Sequence, residues 1–319
     1  MSDSRPIASR DSPWRVISSA TRCRADAVLM ACVLEATAPK VGNVHPAARF
    51  DDLAYADFVI AAGMTADALG NLKNDDPIGD AIASAVRASV EATGTNVNLG
   101  IVLLLAPLVA SEPDWSALNE SQSAKSFDQR CRQWQDCVEL LLADVDLQQG
   151  AKIAGAISGA AAGGLDGDSL GEDHPLDVNG GVGMSYDILA AMRLASTRDR
   201  IARQYAEGYR DLFDVVVPTV RERVARTGDL LSGIVLAHIE LIAAEGDSLI
   251  ARKCGSQESA RVAELARECL AAIDGSDLAQ MAEHVRVLDE QLRADGNRFN
   301  PGTSADLIAA AVYVLLRVI

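Results

Sequence analysis

Four short stretches of the 319-residue chain collect side chains that can do chemistry. PKVGNVH (39–45) sets Lys40, Gly42, Asn43 and His45 where an apolar, helix-like run stops. GTNVNLG (94–100) supplies Thr95, Asn96 and Asn98. NPGTSAD (300–306) supplies Asn300, Gly302, Thr303, Ser304 and Asp306. Each sits at a helix boundary, where exposed backbone N–H groups and partial positive charge suit phosphate or another anion. Each also reads as a cap or turn, with Ser304 or Thr303 capping the last helix. Three such stretches in one chain, one of them with a lysine, favour a shared polar site. The fourth, GDSLIARKCG (246–255), places Asp247 near Arg252 and Lys253. It is either a surface turn with its own ion pairs or a cation pair that holds phosphates.

The elements that must position these residues read as helices. Hydrophobic residues make up 49% of the chain and aromatics 4%, so the core is expected to be Ala, Leu, Val and Ile in close helix packing. Apolar positions recur at helical spacing and no strand-like alternation or internal repeat is visible. The expected fold is all-α: a single compact domain of roughly ten helices over 19–319, behind a flexible tail, 1–18. The apolar run from Ile101 is expected to stop at Ala110, with 111–126 a hydrophilic connector, and Ser185–Arg226 to be one long helical segment. In the Gly/Asp-rich stretch 163–187, Asp166 and Asp168 match a calcium loop's first ligands but Leu170 breaks the pattern, which leaves a solvated connector. GGVGMS follows no strand, against a dinucleotide fold.

Net charge of −16 repels nucleic acid and anionic membranes, so neither is an expected partner. A nucleotide would need local cations or a divalent ion. The six cysteines form no metal-binding spacing and read as free thiols in a reducing cytoplasm. The amino terminus lacks a leader's apolar segment, and no run reaches membrane-spanning length. His174, His238 and His284 have no visible partner and read as structural.

PKVGNVH resembles the Pro-Lys-Pro-Gly motif of triphosphoribosyl-dephospho-CoA synthases. GTNVNLG resembles their Gly-Thr-Asn-Thr-His-Lys-Gly motif, and NPGTSAD their Ser-Pro-Gly-Gly-Ser-Ala-Asp motif, in the same order and at about the same separations. Val41 stands for the family's second proline, Asn98 and Leu99 for its His-Lys pair, and Thr303 for a glycine. These variants are more similar to a divergent branch in archaea and tetrahydromethanopterin-using bacteria. The resemblance implies an all-helical transferase that moves the triphosphoribosyl group of ATP to a ribose hydroxyl of dephospho-CoA and releases adenine. A related ribosyltransferase or hydrolase with another acceptor, or a non-catalytic nucleotide-binding protein, are the alternatives. Displacing adenine passes through an oxocarbenium-like state that needs carboxylates, and the incoming hydroxyl needs a base. Glu35, Asp247 and Asp306 are the expected catalytic carboxylates. A triphosphate also implies Mg²⁺, for which Asp51, Asp52 and Asp187 are the expected ligands.

Overall fold

Low aromatic content and abundant alanine let helices approach closely, and the computed structural model is built that way. It describes residues 11–73, 76–120, 125–160, 183–273 and 278–319. Among them are fifteen α-helices and no β-strand, more helices than the roughly ten expected. They are α1 (Ser12–Ser18), α2 (Arg24–Thr37), α3 (Tyr55–Leu69), α4 (Ile78–Thr93), α5 (Leu99–Glu120), α6 (Phe127–Ala143), α7 (Leu147–Gly159) and α8 (Ile188–Ala195). There follow α9 (Arg200–Ala206), a π-helical turn (Leu212–Val216), α10 (Val217–Thr227), α11 (Leu230–Glu245), α12 (Ser248–Cys254), α13 (Ser256–Ala272), α14 (Leu278–Arg293) and α15 (Gly302–Val318). They form a single all-α domain. The segment Ser185–Arg226 is thus several short pieces rather than one helix, turned at Gly208 and Tyr209, both with positive φ.

The core is organised on α15, whose residues from Leu307 to Leu316 are all buried, and which packs on α2, α5, α10 and α11. One of these partners, α5, carries two prolines, and this is why the sequence suggested a connector after Ala110. The helix runs through them because each freed carbonyl finds another donor. Pro107 cannot reach the Leu103 carbonyl, which instead accepts from Tyr205 Oη at 2.7 Å and Tyr209 Oη at 3.2 Å. Pro113 cannot reach the Val109 carbonyl, which accepts from Arg24 Nη1 at 3.1 Å. Farther along, Glu112 is buried and takes Arg317 Nη2 at 2.6 Å together with the Tyr313 hydroxyl. Trp115 stacks on Trp134 with ring centroids 4.5 Å apart. The stretch Leu99–Ala117 is long and apolar enough to cross a membrane, but 78% of it is buried inside the molecule as the core helix.

The expected flexible tail is also corrected in part. Residues 12–18 are helical, Trp14 is fully buried, and Asp11 accepts from Arg221 Nη2 at 2.7 Å. Residues 1–10 and most of the Gly/Asp-rich stretch, with Asp166, Asp168, Leu170 and His174, lie outside the described residues.

Candidate active site

One cleft of about 630 Å³ opens where the carboxyl end of α2, the turn before α5, the α12 helix and the amino end of α15 meet. Its polar wall holds Glu35, Asn43, Asp52, Thr95, Asn96, Arg252, Lys253, Asn300, Gly302 and Asp306. All four stretches singled out in the sequence therefore contribute to a single site. Its other wall is apolar, built largely from α7, α8 and α9, with Ile157, Ile188, Met192 and Ile201.

The turn at 38–50 shapes the polar end. Gly42 has φ +68, and a Cβ there would come within 3.0 Å of the Pro301 ring, so only glycine fits this crossing. The turn is tied to α14: Gly42 N donates to Asp289 Oδ1 at 2.7 Å, and Arg293 donates to the Asn43 carbonyl. Lys40 is thereby turned inward rather than towards the cleft. It is fully buried, its Nζ lies 2.8 Å from Glu35 Oε1, and it does not line the wall. The expected role as a direct phosphate contact is corrected accordingly. Glu35 itself does line the cleft, with Oε2 buried and without a hydrogen-bond partner among the described residues. Asn43 lines the cleft as well, with its Nδ2 3.4 Å from Nε2 of the fully buried His238. Burial, and then Lys40, push that imidazole down to about 3, so it is neutral.

Asp306 enters from α15 as its fifth residue, just past the first turn. A Cβ at Gly100 would lie 2.0 Å from Asp306 Oδ2, so the glycine closing GTNVNLG makes room for this carboxyl. Burial pushes the Asp306 carboxyl well above the usual carboxylate range; Glu35, Asp247 and Asp199 push it further, against Arg252. No hydrogen bond from a described residue reaches it. Arg252 is held by Asp199, which also caps α9 by accepting from Ile201 N at 2.8 Å, while Arg252 Nε is buried without a partner among the described residues. Asn300 Oδ1 is likewise buried and unpartnered among them.

Several expected site residues serve the scaffold instead. Asp247 is a buried clasp: Oδ1 accepts from Leu249 N at 2.9 Å at the start of α12, and Oδ2 from Ser304 N at 2.7 Å and Ser304 Oγ at 2.8 Å. Burial raises its carboxyl and these bonds oppose the rise. Thr303 accepts from Ser248 Oγ at 3.0 Å, so the hydroxyls of 303 and 304 are spent on joining helices. Asn98 is buried, donating to Thr65 Oγ1 at 2.6 Å across to α3. His45 closes a small turn in which Ala47 N donates to its Nδ1 at 3.3 Å. The three expected metal ligands do not converge. Asp187 caps α8 by accepting from Ala190 N at 2.9 Å, Asp51 is exposed and off the wall, and Asp52 alone lines the cleft. Among the described residues no group of three or more His, Cys, Asp or Glu side chains is arranged around an ion.

Sequence reasoning passed over Asp199, Arg198 and Asn297, which also line the cleft. Asp199 carried a legible signal as an N-cap before an apolar helix. Its second duty, fixing Arg252 from 53 residues away, carried none.

The bundle is all-helical, and one cleft brings the Glu35 and Asp306 carboxyls together with the Arg252 and Lys253 cations. The family model for CitG, the ATP:dephospho-CoA triphosphoribosyl transferases, matches residues 21–318, and the chain belongs to that family. Its enzyme class is transfer of the triphosphoribosyl group from ATP. The fold is shared with a crystal structure from Archaeoglobus fulgidus, provisionally described as a triphosphoribosyl-dephospho-CoA synthase. That protein is 20% identical, with a TM-score of 0.60 over 82% of this chain and 97% of the other. No curated protein matches the chain.

Proposed function

We propose that the two carboxyls at the base of the cleft divide the work of displacing adenine from the ATP ribose by a hydroxyl of dephospho-CoA. The observation that carries this reading is their unlike state. Glu35 is paired with a buried ammonium, whereas no cation among the described residues pairs with Asp306, which is pushed towards its neutral form. The neutral Asp306 acid donates its proton to the departing adenine, and Glu35 Oε2 takes the proton of the attacking hydroxyl. The C1′–N bond breaks as the C1′–O bond forms, and the proton gained by Glu35 returns to Asp306 before the next turnover. Glu35 also stabilises the positive charge that develops on the ribose.

Arg252, Lys253 and the amino end of α15 at Gly302 suit the phosphates, and Asn43, Asn96 and Asn300 suit the sugar and base. Mg²⁺ fits as an ion carried in with ATP. Asp52 lines the cleft with no hydrogen bond from a described residue, so its carboxylate is open to an ion otherwise held by phosphate oxygens and water. The ion would neutralise triphosphate charge in an acidic protein. The apolar wall leaves room for the acceptor, and the enzyme would work in the cytoplasm.

Adenine release from MgATP, measured with and without dephospho-CoA, tests the reading. Release that depends on dephospho-CoA, and that falls by about 10²-fold or more in Glu35→Gln and in Asp306→Asn, is expected. Release only in water, or only with a different hydroxyl acceptor, would replace the acceptor while leaving the two carboxyl roles open to the same substitutions.

A further inference from the structure

Lys40 presents an oddity: a charged side chain in a nucleotide enzyme, fully enclosed and off the wall where the phosphates would lie. Both of its hydrogen bonds go to one residue. Nζ lies 2.8 Å from Glu35 Oε1 and also donates to the Glu35 backbone carbonyl. The carboxylate is thereby pinned through one oxygen, and its other oxygen is buried, unpartnered among the described residues, in a side chain that lines the cleft.

The groups around this pair leave Lys40 as its source of positive charge among the described residues. Cys32 lies one helical turn back on α2, and burial followed by Glu35 pushes its thiol up, so it is neutral. His238 from α11 borders Lys40 and is kept neutral by burial and by that ammonium. Asp306 from α15 would add negative charge on ionising. Arg252 bears on Asp306 but is bound to Asp199.

We infer that Lys40 is a positioning residue: it fixes which oxygen of Glu35 faces the cleft and supplies the counter-charge of that buried carboxylate beside the Asp306 acid. The inference rests on the reading of Glu35 as the base. Without Lys40 the carboxylate would be a buried charge with no counter-ion, which favours protonation. The basic form would then appear only at higher pH, so the rising limb of the activity profile moves up the pH scale.

The test compares the parent with Lys40→Met and with Lys40→Gln, which keeps a donor without the charge and serves if the methionine variant does not fold. Three quantities are measured: the pH profile of adenine release, MgATP affinity by calorimetry, and the pH titration of the Glu35 side-chain carboxyl carbon by NMR, assigned by its loss in Glu35→Gln. The expected result is a kcat at neutral pH lower by about tenfold or more, with the rising limb and the carbon titration both displaced upward by about one pH unit or more. MgATP affinity should stay within about twofold, since no phosphate contact is removed. A carbon titration that does not move would overturn the inference even if activity fell. So would MgATP binding weakened about tenfold with an unmoved pH limb, because that is the loss of a direct phosphate contact. A fully active Glu35→Gln would instead remove the base assignment, and the carbon titration in the Lys40 variants would still decide whether Lys40 governs that carboxyl.

Discussion

Asp306 and His238 are both titratable groups held away from their ordinary behaviour, and each makes a stability claim of definite sign. The Asp306 carboxyl is raised above its unfolded value of 3.8. Above that pH the folded chain binds a proton that the unfolded chain has released, so stability falls as pH rises through the window up to the folded value. Asp306→Asn removes this penalty. The variant should melt at or above the parent's temperature, with its advantage growing from acidic towards neutral pH, although transfer is lost. A lower melting temperature at neutral pH would mean that the carboxyl is ionised and well paired. His238 has the opposite dependence, with a folded value of about 3 against an unfolded 6.5. Its neutral form contributes stability that is present above pH 6.5 and is lost as pH falls towards 3. Urea midpoints taken near neutrality and in mild acid should therefore lie closer together in His238→Gln than in the parent.

At the scale of elements, the site depends on how helix ends are joined. Asp247 binds the starts of α12 and α15 through four hydrogen-bond contacts, which also brings Arg252 and Asp306 to the same cleft. Asp247→Ala strands buried donors at two helix starts and should cost about 2–4 kcal/mol. It should lower the melting temperature first, and transfer should fall with it, both through loss of fold and because Asp247 no longer helps to raise the Asp306 carboxyl. Gly100→Ala should behave the other way. A methyl group 2.0 Å from Asp306 Oδ2 forces the acid out of place, so transfer should fall far more than stability. Equal activity in Gly100→Ala and the parent would show that α5 can shift without disturbing Asp306. The prolines of α5 belong here too. Phenylalanine at 205 removes the hydroxyl whose bond to the Leu103 carbonyl is the shorter of two, yet Tyr209 remains 3.2 Å away, so the loss should be modest, about 1 kcal/mol.

For the whole molecule the governing quantity is charge. A chain of net charge −16 must bind a polyphosphate against its own field. ATP should therefore raise the melting temperature strongly with Mg²⁺ and weakly without it. At 100-fold excess over Kd the stabilisation is about 2.7 kcal/mol, which for a chain of this size is about 4 °C. Equal shifts in the presence of Mg²⁺ and of a chelator would show that the cations of the cleft suffice alone. Raising the salt concentration should weaken binding least in the buried part of the site, where screening is poor.

The sequence by itself determined the helical class, since the 3.6-residue spacing of Ala, Leu, Val and Ile is a local property that each segment carries with it. It also marked the cleft: Asn96, Asn300, Arg252 and Asp306 stand in stretches whose polar and small residues interrupt apolar helices, and such interruptions are visible without a fold. Tertiary structure alone decided which way those residues point. Lys40 and Asp306 occupy similar polar stretches, yet one turns inward onto Glu35 and the other faces the cleft, because Gly42 crosses against Pro301 and Gly100 leaves room beside α15. The path of α5 through Pro107 and Pro113 was hidden for the same reason. A proline removes a local hydrogen bond, and the replacement donors, Tyr205 and Arg24, arrive from distant parts of the chain. Periodicity is written within a segment, whereas the partner of a buried polar group is fixed only when the segments pack together.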